Sequence, residues 1–568
     1  MFRRAQQLLL LVAFFAATAV LRAGEFDTLR LRWRDLLTQG TNASFSNPLY
    51  QNWINSVGNS AQSYWSTMNT SPTRTNLWNA YPYPAADSSD ISGTYSRLKT
   101  MALAYSIKDS ALEGNTGLRA ATISGLDWMF TNHYNASSVV FDNWFDFEIA
   151  TPLVLNDITT LLYSNLSPAQ ISNYMAAVDH FTPTPSDSYI STNLTAANKI
   201  WKSLVVAVRG VLVQDSNKVA LARSGLSDVF PYVTSGDGFY RDGSFVFHNE
   251  FAYNAGYGVE LLDSMGSMMQ LLTGSTWAIT DPAQTNVFRW VTDSFQPFFT
   301  RGAAMEMVDG RYHTRNGDSH ERGQEMLGAI LRVAQVAPPA QATAFKSFAK
   351  GVILSDTYRN FLTAQSPPYN VWASAAVNDT NISAPVVLTE HRQFPGMDRV
   401  VHHTPEWDFA LSMSSSRIAN YESTRGENLK GWYTGEGMTY LYNRNLAHYS
   451  DQFWSTIDPY RLPGTTVDTF TRTNGSGDSY RSPNNQTGGA SILGLYGVAA
   501  MHLNTYVSTL GARKSWFVFD NEIVCVGNSI SSAETNSGVE TIVENRRLGL
   551  YGNNAFTVNG VAKPSGPG

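Results

Sequence analysis

Four stretches of this 568-residue chain are dense in aromatic, acidic, amide and basic side chains. In the first, residues 141–148, Asn143, Trp144 and Phe145 stand beside aspartate and glutamate. Sugars stack a CH face on aromatic rings and offer hydroxyls to polar groups, so this stretch could form a carbohydrate-binding platform. A helix start with core aromatics explains the composition equally well.

The second stretch, residues 242–258, contains His248 and Tyr257 nine positions apart. Nine helical steps of 100° place two residues on opposite faces, so one straight helix cannot direct both side chains into one pocket. A loop that leads into a helix at Gly258 can do so. Without further information, a hydrogen-bonded structural histidine is the preferred interpretation of His248.

The third stretch, residues 309–315, contains two arginines and a histidine. Arg311 and Arg315 are four residues apart and, on one helix face, would clamp a carboxylate or sulfate. Surface arginines without a specific role are the commoner case. Asn198 precedes a helical pattern that begins near Ile200 and could be the N-cap of that helix.

The fourth stretch, residues 420–437, combines carboxylates, an amide and aromatic rings in the C-terminal part of the chain. Its candidate residues are Glu422, Arg425 and Asn428. Spacing alone makes none of the four stretches specific for one chemistry.

Apolar side chains at helical spacing occupy most of residues 25–360. Two examples are the stripes Ile200, Leu204, Val208, Val211, Leu212 and Leu262, Met265, Met269, Leu272. Many amphipathic helices with polar connections predict an all-α first domain, whose length suits a closed ring of helix pairs. Residues 364–385 then resemble a linker with turns.

After this linker, patterns typical of strands dominate. Apolar residues alternate with others from Trp407 to Met413, the period expected where one sheet face is buried. Two further strands flank Asp520-Asn521, which predicts a hairpin turn. The second domain is therefore predicted to be antiparallel β.

Composition excludes several classes of protein. Charged residues make up 15% and aromatic residues 12% of the chain, and 40 Lys+Arg against 46 Asp+Glu give a net charge of −6. This balance argues against a disordered chain, a coiled coil or a basic nucleic-acid-binding protein. A single cysteine, Cys525, excludes an internal disulfide and a cysteine-based zinc site.

Residues 1–23 have the pattern of a cleaved secretory signal peptide. Arg3 and Arg4 precede an apolar run from Leu8 to Leu21, which is shorter than the ~20 residues of a membrane span. A membrane anchor is the less favoured interpretation, so we expect a secreted, extracellular protein. Sequons for N-glycosylation, which would make it a glycoprotein, begin at Asn42, Asn69, Asn135, Asn193, Asn378, Asn381, Asn474 and Asn485.

Taken together, the motifs resemble the ordered motif set of polysaccharide lyase family 8, which contains hyaluronate, chondroitin AC and xanthan lyases. The matching segments are residues 143–149, 197–199, 242–258, 310–315, 427–433, 458–466 and 544–547. They cover most of the mature chain, in order, across both predicted domains.

The resemblance implies an α+β multidomain fold. An α/α toroid, an incomplete helical barrel, would span residues 24–365, a linker 366–385, and an antiparallel β-sandwich 386–568. Family members usually continue through more β structure, so the sandwich is expected to be truncated. An anionic polysaccharide such as hyaluronan, chondroitin, xanthan or a related glucuronan would lie between the domains. The expected protein is a monomer with no nucleic-acid or membrane partner.

The chemistry implied is β-elimination: a base removes the C5 proton of a uronic acid, and the oxygen at C4 leaves. Asn198 and His248 would neutralise the substrate carboxylate, which makes the proton more acidic. Tyr257 would take the proton and return it to the leaving oxygen, helped by Arg311, and Glu422 would complete the site through His248 or Arg311. Whether His248 or Tyr257 is the base stays open.

Substrate contacts are also implied. Trp144 and Phe145, with Asn143, would position the polymer, and Arg315, Arg425 and Asn428 would bind it. Phe145 replaces an expected second tryptophan, and Arg425 stands where the family often has asparagine. These arginines and Lys199 would make the cleft locally positive despite the net charge of −6.

Two other functions stay open at this point. One is an α/α-toroid glycoside hydrolase that uses Glu148 with Asp146 or Glu250 as paired carboxylates. The other is a non-catalytic, secreted polysaccharide-binding protein. The implied lyase chemistry requires no cofactor, and a structural calcium ion stays an open possibility.

Overall fold

A computed structural model describes residues 24–83, 86–191, 193–385, 388–534, 538–548 and 554–564. The signal peptide predicted for residues 1–23 lies outside the described residues. Among the described helices, none combines the length and apolar character needed to cross a membrane.

The N-terminal part of the chain is helical. Its helices, with one short helix from the sheet domain, are residues 24–38 (α1), Pro48–Thr67 (α2), Ser89–Ser106 (α3), Thr116–Asn132 (α4), Thr151–Leu161 (α5), Pro168–Phe181 (α6), Ala196–Leu212 (α7), Ser216–Gly225 (α8), Val259–Leu272 (α9), Asn286–Trp290 (α10), Ser319–Ala334 (α11), Pro339–Ser355 (α12), Phe361–Ala364 (α13), Tyr369–Asn378 (α14) and Phe453–Thr456 (α15).

The packing of these helices forms two layers. The helices α3, α5, α7, α9 and α11 contact one another in sequence, and α2, α4, α6, α8 and α12 pack outside them. The inner helix α7 is buried nearly all round, since only Asn198 and Arg209 escape burial. The stripes predicted in α7 and α9 are therefore confirmed, and they face the core of the ring.

Within the described residues, the strands form six antiparallel sheets. They are Gly238–Phe239 (β1), Phe245–Phe247 (β2), Phe251–Ala252 (β3), Phe299–Thr300 (β4), Ala303–Ala304 (β5), Glu390–Phe394 (β6), Arg399–His403 (β7), Asp408–Ser412 (β8), Met438–Tyr442 (β9), Thr466–Asp468 (β10), Thr487–Ile492 (β11), Tyr496–Asn504 (β12), Gly511–Val518 (β13), Ile523–Ser531 (β14), Val539–Thr541 (β15), Phe556–Val558 (β16) and Val561–Lys563 (β17).

Two four-stranded sheets, β6–β9 and β11–β14, pack face to face. The predicted hairpin joins β13 to β14, where the Phe519 amide donates to the Glu522 carbonyl at 3.0 Å. The predicted order of an α/α toroid followed by an antiparallel β-sandwich is confirmed.

Two expectations about this region are wrong. The strand predicted around residues 407–413 is β8, but both of its faces are buried. Phe409 and Leu411 pack on the second sheet, whereas Ala410 joins the core of the helical domain. The predicted linker 366–385 contains α14, which packs on α12 because Ala373 and Ala376 are buried there.

Candidate active site

His248 and Tyr257 are brought together by an irregular segment between β2 and α9. His248 follows β2 with a φ of 51°, and Asn249 has a φ of 68°. The chain then passes through β3 and a π-helical turn, Asn254–Gly258, into α9. As a result, the ring centres of His248 and Tyr257 lie 5.1 Å apart. Non-glycine residues at positive φ are uncommon and tend to mark functional segments.

Arg311 contacts the Tyr257 hydroxyl. Its Nη2 donates to the Tyr257 oxygen at 3.0 Å. Arg311 and Arg315 flank a short 3₁₀ turn, Tyr312–Thr314, so the prediction that they share a helix face is wrong. The turn nevertheless keeps both guanidinium groups close to Tyr312, the Arg315 group lying 3.6 Å from its ring centre.

Glu422, which lies in the sheet domain, connects His248 and Arg311 of the helical domain. Its Oε1 lies 2.5 Å from His248 Nδ1, and its Oε2 accepts from Arg311 Nη1 at 2.6 Å. Burial alone would raise the pKa of Glu422, but the hydrogen bond and charge of His248 and the charge of Arg311 lower it to about 2. Both predicted contacts of Glu422 are therefore present.

Tyr253 belongs to the same network and was missed in the sequence. It is fully buried, its hydroxyl donates to Glu422, and it accepts from the backbone and side chain of Arg311, each at 3.1 Å. Burial, followed by the charge of Glu422, raises the pKa of Tyr253 well above 10. Gly310 permits this contact, because a Cβ there would lie 2.1 Å from the Tyr253 ring.

Glu427 is the second residue that sequence reasoning missed as a site residue. Its carboxylate accepts from Arg311 Nε at 2.5 Å and from Arg315 Nε at 2.6 Å. Burial opposes ionisation, but the hydrogen bonds from both arginines lower the pKa of Glu427. Glu427 therefore fixes Arg311 and Arg315 relative to each other, and its place within a long matching motif was the one available signal.

Asn198 lies in the first turn of α7, half-buried, and forms no side-chain hydrogen bond to a described residue. The N-cap position belongs to Thr195, so the prediction that Asn198 caps the helix is wrong. Asp237 ties this end of α7 to the His248 segment. It accepts from Thr195 Oγ1 at 3.0 Å and from the Asn249 amide at 2.6 Å.

The predicted aromatic patch leads to this site through ring contacts. Trp144 and Phe145 are half-buried, with ring centres 6.4 Å apart. Phe145 contacts Trp201 at 5.6 Å, and Trp201 contacts Tyr257 at 6.1 Å. Asn143 starts the patch by accepting from the Phe145 amide at 3.3 Å. The aromatic patch therefore begins the helical turn before α5, and its ring contacts continue through Trp201 to Tyr257.

Asn428 and Lys199 depart from expectation, whereas the substrate contact predicted for Arg425 stays a prediction. Asn428 is buried, its amide group bonded to the Glu422 carbonyl and to His313, so it positions Glu422 and is not available to bind substrate as predicted. Lys199 is buried against Asp228 and adds no charge to the cleft. Arg425 is half-exposed, 3.7 Å from Asp142 beside the aromatic patch.

The family comparison agrees with this arrangement. Residues 33–351 match "Polysaccharide lyase family 8, N terminal alpha-helical domain", and residues 389–568 match "Polysaccharide lyase family 8, super-sandwich domain". The chain belongs to polysaccharide lyase family 8. The resemblance inferred from the motifs is thus confirmed.

Relatives of this family 8 chain include a xanthan lyase of Bacillus sp. (strain GL1), 42% identical over 96% of this chain and 58% of its own length. A hyaluronate lyase of Thermasporomyces composti is 38% identical over 96% and 69%. The chain thus spans little more than half of the xanthan lyase.

Solved structures give the same picture. A Paenibacillus xanthan lyase is 46% identical, with a TM-score of 0.89 over 96% of this chain and 51% of that one. A chondroitin AC lyase of Streptomyces coelicolor A3, in complex with chondroitin sulphate, is 36% identical, with a TM-score of 0.89 over 94% and 73%.

The carboxylates that a hydrolase would need are already engaged in this family 8 chain. Glu148 is buried, bonded to Lys202 and to the Tyr189 amide, each at 2.6 Å. Asp146 is buried and accepts from two serine hydroxyls. Glu250 pairs with Arg481 at 3.0 Å. Across the described residues, no group of three or more His, Cys, Asp or Glu side chains is arranged to hold a metal ion.

Proposed function

We propose that this chain is a lyase that cleaves a uronic-acid-containing anionic polysaccharide by β-elimination. The observation that carries the proposal is the 3.0 Å contact between Arg311 Nη2 and the Tyr257 hydroxyl, next to the His248 ring. A guanidinium in this position stabilises a phenolate, the form of tyrosine that can accept a proton. The relatives support the substrate class, since their names are those of xanthan, hyaluronate and chondroitin lyases.

In the proposed reaction, the substrate carboxylate lies between Asn198 and His248. Glu422 accepts from His248 Nδ1, which leaves Nε2 to face the substrate, and a protonated His248 donates from both nitrogens. Neutralising the carboxylate stabilises the negative charge that develops at C5. Asn198 suits this role because its amide has no partner among the described residues.

Tyr257 is the proposed base and, afterwards, the acid. Its oxygen takes the C5 proton, the C–H electron pair forms the C4–C5 double bond, and the C4–O bond breaks. The same proton then passes to the departing glycosidic oxygen, so that Tyr257 ends in its starting form. We favour Tyr257 over His248 as base because Arg311 contacts the phenol oxygen directly, whereas His248 is held by Glu422.

The test is ultraviolet absorbance over time, since the unsaturated product absorbs, with hyaluronan, chondroitin sulfates, xanthan and glucuronan as substrates. We expect absorbance to rise with at least one polymer and to be abolished in Tyr257→Phe, which retains the ring but not the hydroxyl. New reducing ends without absorbance would indicate a hydrolase. Polymer binding without any product, unchanged in Tyr257→Phe, would indicate a non-catalytic binding protein.

We also propose that the protein is secreted, on the basis of the pattern in residues 1–23. Expression of the full chain in a secreting host tests this. The protein should be recovered from the medium without these residues, and a cell-bound chain that retains them would contradict the proposal.

A further inference from the structure

A groove outside the cleft runs along the helical domain beside α4. It consists of two adjoining concavities of about 830 and 230 Å³, which share Ser164 and Asn165 in their walls. The larger one follows α4 from Arg119 to Trp128, about 14 Å at the helical rise per residue. Its volume lies in the range of small-ligand sites, so several sugar rings could be accommodated.

Arginine side chains dominate the charge of this groove. Arg74 and Arg119 line the larger concavity, and Arg30 and Arg34 line the smaller one. Arg30 pairs with Asp27 at 3.1 Å. Within the described parts of the chain, the other three have no carboxylate within ion-pair distance. Arg34 is exposed, and Arg74 and Arg119 are half-buried in the groove wall. Arginines without an acidic partner are available to an external anion.

The acidic groups in the groove are fewer and already engaged. Asp127 accepts from the Tyr174 hydroxyl at 2.6 Å and from the Gln170 amide at 3.0 Å. Glu113 accepts from the Asp109 amide at 2.8 Å. With Asp27, the partner of Arg30, included, four arginines face three carboxylates, which gives a local excess of positive charge on a chain whose net charge is −6.

Aromatic rings accompany the arginines. The Arg74 guanidinium lies 5.8 Å from the Trp128 ring centre, and that of Arg30 lies 4.4 Å from the Tyr163 ring centre. The half-buried Trp128 ring stands among hydroxyl and amide side chains of the groove wall. Rings for stacking, hydroxyls and amides for sugar hydroxyls, and guanidinium groups for carboxylates together fit an acidic polysaccharide.

A chain of contacts links one end of the groove to the aromatic patch. Trp128 lies in the last turns of α4, and its ring contacts His133 at 4.9 Å and Tyr83 at 5.9 Å. The Tyr83 amide donates to Asp90 in the first turn of α3 at 2.7 Å, and Ser88, just before α3, donates to the Asn143 carbonyl at 3.4 Å. A polymer that leaves the cleft on the patch side would therefore meet the groove.

We propose that this groove is a second binding site for acidic polysaccharide, which holds a stretch of the polymer outside the cleft. The proposal rests on the proposed function only for the identity of the polymer. Two sites on one chain raise the effective concentration of the polymer at each of them, so long chains gain affinity. A tetrasaccharide occupies one site at a time and gains nothing.

The test compares two double variants in a Tyr257→Phe background, which prevents turnover. Arg74→Gln with Arg119→Gln alters the groove. Arg444→Gln with Arg513→Gln removes the same charge from exposed positions in the sheet domain. Dissociation constants are measured by calorimetry for hyaluronan, chondroitin sulfate and xanthan, each as polymer and as short oligosaccharide.

We expect the groove variant to weaken binding of at least one polymer roughly tenfold, which is about threefold for each of two ionic contacts, with oligosaccharide binding unchanged. The control should bind both as the parent does. Equal polymer binding in the two double variants overturns the proposal, as does a polymer that binds no tighter than its own oligosaccharide. Stronger, groove-dependent binding of single-stranded DNA also overturns it.

The result does not depend on the enzymatic proposal, because a failed lyase assay leaves these binding measurements unaffected. If the double groove variant is less stable than its control, Arg119→Gln alone replaces it. The Arg119 side chain makes no hydrogen bond within the described chain, whereas Arg74 donates to Ser124. The single variant should weaken polymer binding roughly threefold, and no change would refute the proposal.

Discussion

Replacing Glu422 with Gln should weaken the contact between the two domains by a calculable amount. The pKa of Glu422 falls from an ordinary value of 4.5 to about 2, because His248 and Arg311 outweigh the effect of burial. Lowering a pKa by one corresponds to about 1.4 kcal/mol, so the ionised carboxylate stabilises the fold by about 3 kcal/mol. The side chain is only 7% exposed, so solvent screening reduces this figure little.

The sign of the pH dependence follows from the lowered pKa. The stabilisation is fully present above about pH 4.5 and is lost as the pH falls toward 2. The assay is urea unfolding between pH 2 and pH 7 for both proteins. We expect the wild type to be more stable by about 3 kcal/mol at pH 7 and the difference to shrink below pH 4.5. An equal difference at every pH would refute the reasoning.

Two further substitutions test the parts of the site that the sequence did not reveal. Glu427→Gln removes the carboxylate shared by Arg311 and Arg315. In the absorbance assay it should lower kcat/KM roughly thirtyfold, which corresponds to about 2 kcal/mol for a partly exposed ion pair. The control Glu406→Gln, on the exposed surface, should keep full activity. Gly310→Ala, at φ 60° and 2.1 Å from the Tyr253 ring, should cost about 3 kcal/mol or more in urea unfolding, whereas Gly426→Ala, at φ 81° with open space around it, should cost about 1 kcal/mol. Equal loss in both alanine variants would show that backbone strain, not the clash, sets the cost.

The sequence predicted the elements whose patterns are local. The stripe in α7 identified a helix because its apolar residues recur every three or four positions, but the spacing did not reveal that 15 of the 17 residues are buried. The pattern around β8 identified a strand but suggested one buried face. Alternation reports the chemical types along a strand and not what covers each face. Here the helical domain covers the second face, where Thr300 donates to Asp408 at 2.6 Å.

Local spacing predicted the site only where a residue acts through its own sequence neighbourhood, and the distant contacts of Glu422 with His248 and Arg311 were predicted from the family resemblance alone. His248 and Tyr257 share one irregular segment, and their placement in a loop before α9 follows from their spacing. Tyr253 and Glu427 acquire their roles from partners more than 50 positions away. No period or cap signals such a contact. Asn428 illustrates the reverse error, since a polar residue in a motif can serve the protein and not the ligand.

Two ionisable groups at the contact between the domains, His403 and Glu422, contribute stability with opposite pH dependence. Burial lowers the pKa of His403, but the charge of Asp408, 2.8 Å away, raises it above its ordinary value. His403 Nε2 meanwhile lies 2.8 Å from the Pro297 carbonyl in the helical domain. This contact is therefore fully stabilising below pH 6.5 and is lost as the pH rises through the raised value. Glu422 has the opposite dependence, so the interface is most stable where both are charged. Glu422 also holds His248 and Arg311, so these candidate catalytic groups should keep their geometry wherever Glu422 is ionised.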